Sequence, residues 1–208
     1  MKHLLLRLIA ITLILISIIT LTGCFLLPEY DPEMPLSSVL GSPLLTGEWD
    51  GNTFKNNWSG INFELPQGFL VSDYEMKIPG EYALDFLLYH DDFPELVISL
   101  AYFDVTQGES RVHTAEDYLT ISKNELLNSP DRNFFFDEGF GSVVIGDWKY
   151  AVTSGTFVDI GNDTQIVYHI DRYAYRWVGT MVVIVAMYSN ESAGTVNTFL
   201  NSIEQSWD

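Results

Sequence analysis

The stretch Met181 to Tyr188, MVVIVAMY, is apolar from end to end. Side chains of a strand alternate between its two faces, so an unbroken apolar run of this length predicts a central strand covered on both sides. A chain built around such a strand needs a layer of structure above it and another below. The segments around it read as strands too. Thr53–Trp58 and Gly60–Leu65 flank a polar Asn-Asn-Trp-Ser-Gly turn and are closed by Pro66 and Gly68. Leu84–His90 and Glu95–Asp104 flank Asp91-Asp92-Phe93-Pro94, the pattern of a hairpin. Phe140–Ile145, Trp148–Asp159, Thr164–Trp177 and Gly179–Tyr188 follow with short connections, which favour antiparallel neighbours.

Within Glu95–Asp104, Leu96, Ile98, Leu100 and Tyr102 form one large apolar face, while Val97, Ser99, Ala101 and Phe103 form a smaller face that is also buried. Thr164–Trp177 changes phase: its apolar positions are even at Ile166, Tyr168 and Ile170 and odd at Tyr173, Tyr175 and Trp177. A strand period of two then predicts a bulge near Asp171-Arg172, or a strand that outruns the sheet at one end. Two helices are expected. Thr114-Ala115-Glu116-Asp117 is a variant of the capping box, followed by Ala115, Tyr118, Leu119, Ser122 and Leu126 on one face and a stop at Pro130. Near the C-terminus Ser192 is placed to cap a helix with Val196, Phe199, Leu200, Ile203 and Trp207 on one stripe. The predicted class is α+β, an antiparallel β-sheet flanked by helices in an α/β/α sandwich, over a single globular domain from 48 to 208.

The N-terminus carries different information. Lys2, His3 and Arg7 precede an uncharged apolar run, Leu8 to Leu21, of the length of a secretory leader. The run ends in Leu21-Thr22-Gly23-Cys24, which resembles the lipobox of bacterial lipoproteins, and Cys24 is the single cysteine of the chain. The expected organisation is a signal peptide over 1–23 and a lipidated Cys24. An uncleaved signal anchor is the alternative, because Leu8 to Leu27 is long enough to span a bilayer. Residues 24–47 contain Pro28, Pro32, Pro35 and Pro43, so this segment reads as a semi-rigid tether. With 10 Lys+Arg against 28 Asp+Glu, the chain has a formal charge of −18. That balance cannot neutralise a phosphate backbone, which excludes nucleic acid as a partner. Membrane lipid is met through the anchor instead, and no cofactor is expected beyond that covalent lipid.

No Gly-x-Ser-x-Gly, Ser-x-x-Lys, His-Glu-x-x-His or Walker A sequence occurs. One cysteine excludes a disulfide framework and any Cys-based zinc cluster. His90-Asp91-Asp92 is the best metal candidate, because imidazole and carboxylates at a turn can converge on a divalent ion; a solvated hairpin turn is the plainer reading. Asp159-Ile160-Gly161-Asn162-Asp163 lacks EF-hand spacing and reads as a hairpin loop. His113 and His169 read as surface residues. Most aromatic rings belong in the core. Trp49 and the Phe134-Phe135-Phe136 run are the candidates for a binding surface, since the run lies in a loop-like segment between Pro130 and Gly139.

The segment Gly47 to Phe69, with Trp49, an Asn56-Asn57-Trp58 turn and Phe63-Glu64-Leu65-Pro66-Gln67-Gly68-Phe69, is similar to the opening of small bacterial lipoproteins with a PsbP-like fold. That fold is shared by the photosystem extrinsic protein PsbP and a Ran-binding nuclear import factor. Later features of the group are a helix, long antiparallel strands and a closing helix with a Ser-Ile step, here Ser202-Ile203. Leu70–Ala83 is shorter than the insertion such proteins often carry there. The resemblance implies no enzyme and no transferable site residues. It implies a binding or assembly module of the bacterial envelope, on the outer face of the cytoplasmic membrane or on an outer membrane where one exists, with an envelope protein as partner. A surface hydrolase using acidic residues and a binder of small ligands or divalent ions are the alternatives.

Overall fold

The computed structural model describes residues 46–72, 82–105, 112–128, 133–161, 164–177 and 180–205. Cys24, the proline tether, Trp207 and the Asn162-Asp163 turn lie outside them. The elements in chain order are β1 (Glu48–Asp50), β2 (Thr53–Lys55), β3 (Ile61–Glu64), β4 (Phe69–Val71), β5 (Tyr82–His90) and β6 (Val97–Asp104). Then come α1 (Ala115–Leu127), β7 (Asn133–Phe136), β8 (Gly141–Ile145), β9 (Trp148–Gly161), β10 (Thr164–Trp177), β11 (Thr180–Tyr188), α2 (Ala193–Ser202) and β12 (Glu204–Gln205).

The apolar run at Met181 is β11, and it is central. It pairs antiparallel with β6 on one side and β10 on the other, in a main sheet ordered β4-β5-β6-β11-β10-β9-β7. On the outer edge of β9, β7 pairs with Gly155–Val158 and β8 with Trp148–Val152, so the two short strands lie end to end. Alternation along β6 and β11 feeds two cores. Val97, Ala101, Phe103, Met181, Val183 and Val185 join α1 residues Tyr118, Leu119 and Leu126 on one face. Ile98, Leu100, Tyr102, Val182 and Ile184 join Phe54, Ile61, Phe63 and α2 residues Val196, Phe199 and Leu200 on the other. The α+β class and the two faces of β6 are as the sequence predicted.

Four expectations need correction or choice. The second face is covered by α2 together with a separate sheet, β1-β2-β3-β12, where the sequence predicts a single sheet and a C-terminal helix running on past Ile203. The C-terminal β12 closes this small sheet by pairing Glu204 and Gln205 with Asn62 and Ile61, a contact between chain ends that no local pattern announces. Phe134–Phe136 belongs to a strand, not a loop. Phe136 lies opposite Gly155, where any Cβ would sit 2.5 Å from the Phe136 ring, so the glycine makes room for the strand.

The phase change in β10 is not a bulge. Its register runs without a shift past Asp171-Arg172 on both partners. The strand outruns β11, which starts to pair only at His169, and different layers cover its two halves: Tyr168 and Ile170 face the α1 core, Tyr173 and Tyr175 the α2 core. Among the described residues, a register shift in the main sheet falls at Asp85 in β5, between Leu84 and Phe86.

Helix α1 starts at the predicted capping box: Asp117 N–H donates to the Thr114 hydroxyl, and the Asp117 carboxylate accepts from Thr114 N–H. Ser192 occupies the N-cap of α2 but does not cap it. Its hydroxyl accepts from Ser189 N–H and donates to the Glu95 carboxylate, tying the helix start to the β5–β6 turn. Among the described residues no helix is long and apolar enough to cross a bilayer.

Candidate functional site

Two turns and the helix α2 meet in a cleft of about 620 Å³. Pro66 to Phe69 supply one wall, His90 to Phe93 the floor, and Thr195 and Thr198 of α2 the other wall. The first turn needs Gly68, whose φ is +88° and whose Cβ, had it one, would sit 2.4 Å from His90 Nε2. His90 is only 5% exposed, with its ring edge-on to Phe69 at 5.0 Å and tilted to Phe93 at 5.1 Å. Its Nδ1 accepts from Asp92 N–H at 3.2 Å, which assigns the proton of the neutral ring to Nε2. Asp91 and Asp92 are exposed at the rim. The histidine therefore holds the hairpin turn, and among the described residues no group of three His, Cys, Asp or Glu side chains is placed to hold a metal ion.

The aromatic candidates are scattered rather than convergent. Trp49 is half-buried in a cluster with Phe54 at 5.1 Å, Phe63 at 5.7 Å and Phe86 at 6.4 Å. Phe134 is buried in the α1 core with half-buried Phe136 packed against it, while Phe135 points to the other face and is 61% exposed.

The register sets Phe135 opposite Thr156, Thr156 opposite His169, and His169 opposite Tyr188, in one row across four strands. The next row holds Val158 and Val167, the latter 46% exposed. His169 stacks on Tyr188 at 5.2 Å, and its Nε2 lies 2.7 Å from Asn190 Oδ1. Tyr188 packs at the edge of the core beneath α2, while Phe135 and Val167 are exposed, which leaves an apolar patch at this end of the sheet face.

Two buried polar groups were not legible as site residues. Asp85, inside an otherwise apolar strand, accepts from Gly47 N–H at 2.7 Å, Asn56 Nδ2 at 2.7 Å and Tyr102 hydroxyl at 2.6 Å. Burial raises its pKa above the ordinary carboxylate value while these three donors pull it down. Asp171 accepts from Tyr188 hydroxyl at 2.6 Å and Tyr173 hydroxyl at 3.1 Å, and burial pushes both phenols up. The signal for Asp85 was a single acid in the apolar run Tyr82–Tyr89. For Asp171 and Arg172 it was the adjacent charge pair at the phase change of β10.

No family model matches the chain, and no curated protein matches it. Among solved structures the chain is similar to cyanobacterial PsbP from Synechocystis, at 14% identity and a TM-score of 0.48, covering 83% of this chain and 100% of that one. It is similar to LpqN, a Mycobacterium tuberculosis protein involved in cell envelope biogenesis, at 12% identity and a TM-score of 0.43, over 70% of this chain and 80% of that one. It is also similar to the Ran-binding protein Mog1p of Saccharomyces cerevisiae, at 13% identity and a TM-score of 0.36, over 74% of this chain and 84% of that one. The PsbP-like resemblance read from the opening segment is met here as a likeness of fold alone.

Proposed function

We propose that this protein is a lipid-tethered, non-catalytic binding module on the outer face of a bacterial membrane. The observation that carries the reading is the apolar run from Leu8 to Leu21, ending in Leu21-Thr22-Gly23-Cys24 with no other cysteine in the chain. A diacylglyceryl thioether at Cys24 would hold the chain far better than one acyl chain, at about 0.8 kcal/mol per buried methylene. The body itself cannot do this work. Of its few basic residues two, Lys2 and Arg7, leave with the leader, and the 28 acids are repelled by anionic head groups.

The prolines at 28, 32, 35 and 43 then hold the domain off the surface. The apolar patch at that end of the sheet face, with Phe135, Val158 and Val167 beside the His169–Tyr188 stack, is the surface it would offer to an envelope protein.

Growth of the host on labelled palmitate tests the tether. Label should enter the wild-type protein, and Cys24→Ala should accumulate as a larger, unlabelled precursor. An unlabelled wild-type product would refute lipidation and leave the uncleaved anchor in its place.

A further inference from the structure

Beneath α1 the main sheet holds a buried arginine. Arg172 of β10 is 2% exposed, and its Nε and Nη1 have no hydrogen-bond partner. Around it the same condition repeats. The register places Ser99 opposite Val185, Val185 opposite Arg172, and Arg172 opposite Thr153, so these side chains share one face of β6, β11, β10 and β9. The hydroxyls of Ser99 and Thr153 are buried without partners. From above, Tyr118, Ser122 and Glu125 occupy successive turns of α1 on its inward face, and Ser122 Oγ and Glu125 Oε2 are also buried and unpartnered.

Buried polar atoms are nearly always satisfied, so six unsatisfied ones on one side of a sheet point to an occupant. Water could meet the hydroxyls but would leave the buried guanidinium without a hydrogen-bonded anion, which is strongly unfavourable. Glu125 is close enough to couple electrostatically with Arg172, yet its inward oxygen makes no hydrogen bond to the guanidinium. Among the described residues, the other cations near α1 have acceptors elsewhere: Lys123 Nζ donates to Asp137 O at 2.7 Å, and Arg176 Nη1 to His113 O at 2.8 Å.

We infer that Arg172 and Glu125 form a receptor for a small carboxylate between α1 and the sheet. The guanidinium and the nearby hydroxyls donate to the ligand's oxygens, and Glu125 in its acid form donates one more hydrogen bond. Glu125 is half-buried, the least buried of these polar side chains, with Oε2 turned inward. Burial raises it to about 7, with Arg172 opposing, so the acid form is present near neutrality. Among the described residues, the titratable groups that face the site are Tyr118 and Glu125 from α1 and Arg172 from β10. In the field of a chain of charge −18, the ligand's affinity must come from these close contacts, where screening is weakest.

Thermal unfolding of the full-length protein in detergent, titrated with sodium acetate against sodium chloride at equal ionic strength, decides this. Acetate should raise the midpoint saturably at pH 6. One proton taken up at about 7 makes the affinity about 30-fold weaker at pH 8.5. Arg172→Met should lose the acetate response. Glu125→Gln, which keeps a donor but cannot titrate, should bind about equally at both pH values.

No acetate-specific shift in the wild type, an undiminished shift in Arg172→Met, or a wild-type affinity indifferent to pH would each overturn the proposal. Circular dichroism establishes that Arg172→Met is folded; should it not fold, the wild-type pH profile and Glu125→Gln decide.

Discussion

Asp85 is the lone acid of Tyr82–Tyr89, and its carboxylate is one point where the small sheet is fastened to the large one, as the Gln205–Tyr175 hydrogen bond is another. The register shift at Asp85 turns its side chain inward, where one oxygen takes the Gly47 N–H and the other takes Asn56 and Tyr102. Asn56 in turn accepts from the backbone of Trp58 and Ser59 at 2.9 Å each, so the aromatic-Asn turn is organised from the same carboxylate. Asp85→Ala takes the acceptor from Gly47 N–H and leaves the Tyr102 hydroxyl and the Asn56 amide with only each other and Ser59, and should lower stability by about 2 kcal/mol, read from urea unfolding. Asp85→Asn should cost less, since one acceptor oxygen survives. The pH dependence follows from the sign of the shift. A carboxyl raised by burial binds its proton more tightly when folded, so its contribution is greatest below the ordinary carboxylate range and is lost as pH rises through it. The wild-type stability profile minus that of Asp85→Asn should show this fall.

At the level of elements, α1 shows what a chain can announce about itself. Its cap, its buried face and its stop are local, and all three were legible, because Thr114 and Asp117 satisfy each other's backbone within one turn. Thr114→Ala should cost about 1 kcal/mol of stability in chemical denaturation. Asp117 behaves oppositely to Asp85. The His113 and Thr114 N–H groups hold it below the ordinary range, so the stabilisation is present above that range and is lost as pH falls through the depressed value.

The edge strand β7 was misread because its strand character depends on a distant residue. Phe134-Phe135-Phe136 between a proline and a glycine looks like a loop until Gly155 is placed opposite Phe136. Gly155→Ala puts a methyl 2.5 Å from that ring and 2.7 Å from Phe135 O, so β7 must move. The expected loss is about 1–3 kcal/mol, with faster amide exchange across Asn133–Phe136 as the specific signature. The small sheet and the Arg172 site were hidden for the same reason, since both are assembled from segments far apart in sequence. The phase change of β10 was visible, but choosing between a bulge and an overrun needed the partner strands.

At the scale of the whole domain, the described residues form one main sheet with a core on each side, the second closed by α2 and the small sheet, and the two cores share the strands of the main sheet. β6 and β11 send alternate side chains into both, so neither core can loosen while the sheet that carries the other stays intact. That makes a specific expectation about cooperativity. Leu119 of α1 and Phe199 of α2 are each fully buried, on opposite faces. Leu119→Ala and Phe199→Ala should each lower stability by about 3–5 kcal/mol through the lost contacts and the cavity left behind. A chain made of two independent layers would respond with two transitions, one displaced by each substitution. A shared sheet responds with a single transition that either substitution displaces, and far- and near-ultraviolet circular dichroism should follow it together. A biphasic curve in which only one phase moves with Leu119→Ala would mean that α1 and its core form a separate unit of stability. In that case the coupling between the faces of β11, which the whole architecture rests on, would be absent.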